Sequence, residues 1–231
     1  MYYAITLTGP SRCGKSTVLK LLKQISESGK YPDFHPVPIP KYTTRDFREE
    51  DIDAVVNGRS SELDVMPVIG NYNIIEGIDS AKQHELRMNA FKELNCDLAY
   101  EQYGDRYGLH LQRLYDCLKN CETPIVILND VRTVEDIRTA LGKQCISLFI
   151  FREVPNLDTF LKEAPKRKES PEKATIRFEK AESIYRIYIE NIHIFDKLIL
   201  NTQNGIDELQ KILQQLIEKL CSPAPLFVER G

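Results

Sequence analysis

The chain has 231 residues, of which 42% are hydrophobic and 28% charged, and its net charge is −3 at neutral pH. Those values are ordinary for a folded protein with one sizeable core, and they give no global attraction to nucleic acid or to an anionic membrane surface. No apolar run approaches the ~18 residues needed to span a bilayer, and no basic-then-apolar leader opens the chain, so neither a membrane partner nor a signal peptide is expected.

In chain order, residues 2–8 predict a buried strand. Residues 15–28 predict a helix with Val18, Leu19, Leu21, Leu22 and Ile25 inward, ended by Gly29. Four prolines between 31 and 40 read as an extended segment leading to Lys41-Tyr42-Thr43-Thr44-Arg45. Over 49–95 the pattern is harder to read, with a short strand at Asn71–Gly77 and a helix opened by Asp79 or Ser80. A strand and glycine turn follow at 96–108, then a helix over roughly 109–120. Thr123–Asp130 is a buried strand ending in a carboxylate. Val134–Leu141 is helical, and Cys145–Phe151 is another buried strand. A basic, proline-punctuated stretch covers 155–173. A long helix runs to about 192, a strand covers 196–201, and a final helix precedes a loosely held tail. Strands alternating with helices predict a mostly parallel sheet covered on both faces.

Six cysteines and four histidines show neither a C-x-x-C pair nor ligand spacing. Reduced thiols in a cytoplasmic protein are the expected state. Cys117 and Cys121, four apart on a helix, read as packing residues rather than metal ligands.

Gly9-Pro10-Ser11-Arg12-Cys13-Gly14-Lys15-Ser16 fits G-x-x-x-x-G-K-[ST] between a strand and a helix. Glycines let successive N–H groups converge on phosphate oxygens. Lys15 can reach the terminal phosphates, and the Ser16 hydroxyl can ligate magnesium. Cys13 lies within this loop near a positive helix end, where a thiol can become reactive; incidental occupancy is the expected reading, and the alternative is a redox-sensitive site where oxidation or alkylation blocks nucleotide binding. Downstream, Arg45 and Arg48 stand three apart and can grip one phosphate from two directions.

With these elements in order, the chain resembles the guanylate kinase family of P-loop nucleoside monophosphate kinases. The resemblance rests on Gly9–Thr17, on Thr43-Thr44-Arg45-Asp46-Phe47-Arg48, and on Gly104-Asp105-Arg106-Tyr107-Gly108. Ile125–Asp130 and Leu198–Asn201 match the family's later strands. It implies a P-loop NTPase three-layer α/β sandwich as a single domain. The core would be formed by about 1–36, 109–152 and 178–220, an inserted NMP-binding subdomain by about 37–108, and a lid by about 153–177. It further implies transfer of the ATP γ-phosphoryl group to a nucleoside monophosphate, GMP or dGMP foremost, with ATP and Mg2+ as cofactors and a monomer or homodimer as the unit.

By the same matching, Gly9, Pro10, Ser11, Arg12, Cys13, Gly14, Lys15, Ser16 and Thr17 would bind ATP, with Asn201 near the adenine. Thr44, Arg45, Arg48 and Tyr107 would hold the acceptor. Asp130 would sit near the acceptor or, with Ser16, near the metal. Lys15, Arg45 and Arg177 would carry the catalysis. Arg177 and a choice among Lys162, Lys166, Arg167 and Lys168 would charge the lid.

The match departs from the family at base recognition. Lys41 stands where the family has a serine, and Leu98 where it has a glutamate that reads guanine; Asp97 or Glu101 would have to substitute. The family's second strand-end aspartate has no acidic counterpart at Leu128 or Asn129, and Phe47 replaces a frequent proline. Three readings therefore stand: a GMP kinase with a rebuilt pocket, a same-fold kinase for another nucleotide or a ribose bisphosphate, and a non-catalytic binding module.

Overall fold

A computed structural model describes residues 2–10, 13–45, 65–67, 80–102, 104–152, 156–165, 170–201 and 205–221. The strands are β1 (Ala4–Thr8), β2 (Pro36–Pro38), β3 (Lys41–Thr43), β4 (Val65–Pro67), β5 (Leu98–Gln102), β6 (Asp105–Leu109), β7 (Thr123–Ile127), β8 (Cys145–Phe151) and β9 (Lys197–Leu200). The helices are α1 (Lys15–Glu27), α2 (Ser80–Glu93), α3 (Leu111–Lys119), α4 (Val131–Leu141), α5 (Leu157–Glu163), α6 (Pro171–Glu190) and α7 (Ile206–Cys221).

Five strands pair in the order β2-β7-β1-β8-β9, every pair parallel. Strands buried on both faces favour apolar side chains, which is why β7 and β8 read as nearly continuous hydrophobic runs, interrupted by Thr123 and Ser147. One face carries Ile5, Leu7, Ile125, Leu148 and Ile199 and packs on Val18, Leu22 and Ile25 of α1 and Leu213 and Ile217 of α7. The other carries Ala4, Val126, Leu128 and Phe149 and packs on Leu114, Val134, Ile137 and Tyr188. The five α1 residues expected inward are the five that are buried.

A second, four-stranded sheet has the order β4-β3-β6-β5. Gly104, at φ +81°, turns the chain between β5 and β6, which pair antiparallel with Tyr100 opposite Tyr107 and Glu101 opposite Arg106. Tyr42 and Thr43 of β3 pair with Gly108 and Tyr107. Residues directly opposite share a face, and the faces alternate along each strand. Lys41, Thr43, Leu98, Tyr100, Gln102, Asp105 and Tyr107 therefore share one face; Tyr42, Ala99, Glu101, Arg106 and Gly108 share the other. On this second face α2 lies close, and a Cβ on Gly108 would stand 2.8 Å from Phe91 Cζ and 2.9 Å from Cys96 Cβ. The Lys41 face looks toward the five-stranded sheet, because the Lys41 ammonium donates to the Ile127 carbonyl at the end of β7. The short strand expected at Asn71–Gly77 lies outside the described residues.

Asp196, just before β9, ties three elements together. Its carboxylate accepts from Arg138 Nη1 at 2.5 Å, from Arg138 Nη2 at 3.3 Å and from the Ser147 amide at 2.8 Å. Asp196→Ala leaves a half-buried guanidinium and a strand amide without this acceptor. The expected cost is about 2 kcal/mol, seen as a fall of about 4–8 °C in the thermal midpoint.

Candidate functional site

The carboxyl ends of the parallel strands carry the loop from Gly9 to Gly14, the position where open α/β sheets bind ligands. Gly9 leaves β1 at φ +154°, and a Cβ there would stand 2.2 Å from the Ile150 carbonyl oxygen. Gly14, at φ +97°, begins α1 in the left-handed region. The helix has no side-chain cap and no acidic residue in its first turn, so its leading amides retain their positive partial charge for an outside anion.

Lys15 folds back over the loop. Its Nζ donates to the Gly9 and Pro10 carbonyls, each at 2.8 Å, and lies 3.8 Å from Cys13 Sγ. An ammonium held by two neutral carbonyls, beside uncapped helix amides, is a donor set suited to a polyphosphate. Ser16 is exposed in the first turn of α1 and Thr17 half-exposed beside it. Cys13 is only 2% exposed, so a reagent must open the loop to reach it. Burial pushes the Cys145 thiol up to about 11, and burial with a hydrogen bond to Glu122 does the same for Cys117. Both are therefore poor nucleophiles at neutral pH. Ser11 and Arg12 lie outside the described residues.

Asn201 ends β9, its amide N–H on the Phe151 carbonyl at 2.7 Å. Its Nδ2 donates to the Cys13 carbonyl at 2.8 Å, and a Cβ on Gly14 would come within 2.3 Å of it. The residue expected beside an adenine thus clamps the turn between Gly9 and Gly14 from behind.

Across the site stands the second sheet. Thr44 is fully buried; its amide donates to the Arg106 carbonyl at 3.1 Å, and its hydroxyl accepts from the Arg106 amide at 2.9 Å. Arg45 follows with its amide on Thr43 Oγ1 at 3.1 Å, one step further along the ladder and level with Asp105. Tyr107 stacks on Tyr100 with ring centroids 5.3 Å apart. Lys41 is 3% exposed and Arg177, on α6, 8% exposed. Lys162 is exposed on α5. Arg48, Lys166, Arg167 and Lys168 lie outside the described residues.

Two acidic residues weighed as base readers are placed elsewhere. Glu101 is exposed on the α2 face, opposite Arg106, because β5 alternates and Tyr100 takes the inner face. Asp97 accepts from the Leu111 amide at 2.9 Å and lies 3.5 Å from His110 Nδ1, which makes it a cap for α3. Asp130 Oδ2 accepts from the Thr133 amide at 2.8 Å and the Thr133 hydroxyl at 2.6 Å, so it caps α4. Asp130→Ala is expected to cost about 1 kcal/mol of stability, checked by thermal melting without nucleotide. Any loss of activity beyond that would have to come from its other oxygen.

The structure adds Gln102 and Asn129, whose amides meet at 3.4 Å between the second sheet and the end of β7. The alternation of Leu98, Tyr100 and Gln102 was the available signal. Among the described residues no group of three or more His, Cys, Asp or Glu could hold a metal ion, and no helix is long and apolar enough to cross a membrane.

No family model matches the chain, and no curated protein matches its sequence. Among solved structures it is similar to a guanylate kinase from Anaplasma phagocytophilum at 15% identity, over 96% of this chain and 88% of that one, with a TM-score of 0.53. Weaker overlaps reach a shikimate kinase from Acinetobacter baumannii in complex with shikimate, at 15% identity over 94% of each chain and a TM-score of 0.42. An uncharacterized protein from Eubacterium ventriosum follows at 13% identity over 94% of this chain and 98% of that one, with a TM-score of 0.40. The first of these likenesses shows the fold alone: α/β, with a parallel five-stranded central sheet flanked by helices.

Proposed function

We propose that the chain transfers the γ-phosphoryl group of ATP to a nucleoside monophosphate, GMP or dGMP foremost, releasing ADP. The observation that carries this reading is the pairing of an uncapped α1 N-terminus and a loop-bound Lys15 with a facing sheet that presents Thr44, Arg45 and Tyr107.

Such a transfer asks little covalent chemistry of the protein and much positioning and charge neutralisation. The donor set fits a magnesium-bound triphosphate: loop and α1 amides with Lys15 for phosphate oxygens, and the Ser16 hydroxyl, with Asp130 through a water, for the metal. Magnesium, when bound, would neutralise charge on the terminal phosphates. Lys15 exchanges the Gly9 and Pro10 carbonyls for phosphate oxygens. Arg45, Arg48, Thr44 and Tyr107 orient the acceptor's phosphate for in-line attack. Arg177, with a choice among Lys162, Lys166, Arg167 and Lys168, would supply positive charge over the phosphates and help to exclude water. Asn201 holds the loop in its binding shape while lining the adenine side.

A second reading, another small phosphate ester such as a ribose bisphosphate, is favoured by Lys41, a buried cation on the inner face that would suit a more anionic acceptor once released from the Ile127 carbonyl. Release of ADP from ATP and magnesium, measured with GMP, dGMP, AMP, UMP, CMP and a ribose bisphosphate, separates the two. Turnover on nucleotides supports the first reading, and turnover on the bisphosphate alone the second. No turnover on any acceptor defeats both.

A further inference from the structure

The five-stranded sheet has two edges, and they are finished differently. At one, β2 is Pro36-Val37-Pro38. Two of its three residues have no amide N–H to offer an incoming strand, a common guard against edge pairing. At the other, β9 has no proline and a single charge, on Lys197. Among the described residues no strand pairs with its outer side. Ile199 is buried in the cluster with α1 and α7, so alternation sends Leu198 and Leu200 to the opposite face. There they are 41% and 49% exposed.

Helix α7 flanks the same edge. Its Ile212, Gln215 and Lys219 line one hollow with Lys197, Leu198 and Ile199 of β9. Glu208 continues that row one turn earlier, since steps of four, three and four residues keep all four side chains on one side of the helix. The row is acidic in the first turn, at Glu208, and basic in the last, at Lys219. Its spacing is the same counted from either end.

We propose that β9 and this row of α7 form a two-fold interface with a second copy of the chain. An antiparallel copy centred on Ile199 sets each Leu198 opposite Leu200 of the partner subunit, a cross-strand apolar pair made twice. On α7 it sets Glu208 opposite Lys219 of the partner subunit, also twice, with Ile212 opposite Gln215 of the partner subunit between them. One axis serves both matches, because the hollow holds the middle of β9 level with the middle of the row. A copy running in the same direction would bring like charges together, so the charges select the antiparallel sense. The joined sheet carries its two loops from Gly9 to Gly14 at opposite ends. Pairing therefore covers neither loop, and the interface is independent of which acceptor is used.

Sedimentation equilibrium of the full chain over roughly 1–300 µM tests this, a range suited to an interface at the small end of the specific class. The expected result is a reversible rise from 26.6 kDa to twice that mass, with no larger species. Leu198→Lys should weaken association at least about tenfold, with the circular dichroism of the folded chain unchanged. Leu86→Lys, the same change at an exposed leucine of α2, should leave association unaltered. Glu208→Lys and Lys219→Glu should each weaken it about tenfold. An equal mixture of those two variants should associate again, because unlike charges then meet at both ends of the row. A chain that stays monomeric throughout the range leaves the edge to a different occupant and overturns the assignment. So does open-ended aggregation, a dimer insensitive to Leu198→Lys, or a mixture that associates no better than its components.

Discussion

Lys15→Ala is expected to slow ADP release by roughly a hundredfold or more, a loss of about 3 kcal/mol of transition-state stabilisation. The ammonium is anchored at two points, on the Gly9 and Pro10 carbonyls, so it waits beside the helix amides at the place where phosphate charge must be met. Moving it onto a phosphate costs little reorganisation, since both positions lie along one loop. Alanine removes that charge and leaves two carbonyls facing the same space, which now repel an anion. Single-turnover measurement with saturating ATP and magnesium isolates the effect on the chemical step. A variant turning over at the parental rate would remove the phosphate-loop reading altogether. Protection of the fold by ATP, read as a melting shift, should shrink in parallel.

Among the described glycines, Gly9→Ala should be the most damaging added methyl group. The new Cβ would meet the Ile150 carbonyl oxygen at 2.2 Å and Cys13 Sγ at 2.7 Å, at a φ of +154° that side chains rarely adopt. Ile150 itself is fully buried in β8, between β1 and β9, so the carbonyl cannot retreat without breaking a ladder. The remaining option is for the loop to lift away, which separates the amides that must converge on phosphate. Strain and overpacking together suggest a loss of roughly 3 kcal/mol, or a midpoint lowered by about 6–12 °C in a chain of this size. Nucleotide affinity should fall with it. Unchanged melting together with unchanged ATP binding would show that the loop does not take this path.

What could be read in the sequence was whatever depends on near neighbours along the chain. The inward residues of α1, the strand at Cys145–Phe151 and the glycine–lysine loop each announce themselves by spacing or by composition over a few positions. The turn from Gly9 to the start of α1, Lys15 included, was legible for that reason. The arrangement of the second sheet was not, because it depends on which face of β5 turns inward. That choice is made by distant partners: Tyr107 stacking on Tyr100, and Gly108 admitting Phe91 and Cys96 against the opposite face. Read alone, β5 does not say that Glu101 is exposed opposite Arg106 while Tyr100 and Gln102 take the other face; only the register does. Asp97 and Asp130 each cap a helix, and spacing along the chain could not announce this, since a carboxylate near a helix start serves equally as cap or as ligand. Asp196 gave no local sign of its role, because Arg138 and Ser147 reach it from far along the chain.

The hydrogen bond from Asn201 to the Cys13 carbonyl joins positions 188 residues apart. In refolding, the turn between Gly9 and Gly14 would gain this brace only once β9 had docked beside β8. Recovery of nucleotide affinity should then lag behind recovery of the sheet, a delay that stopped-flow refolding in the presence of ATP would reveal.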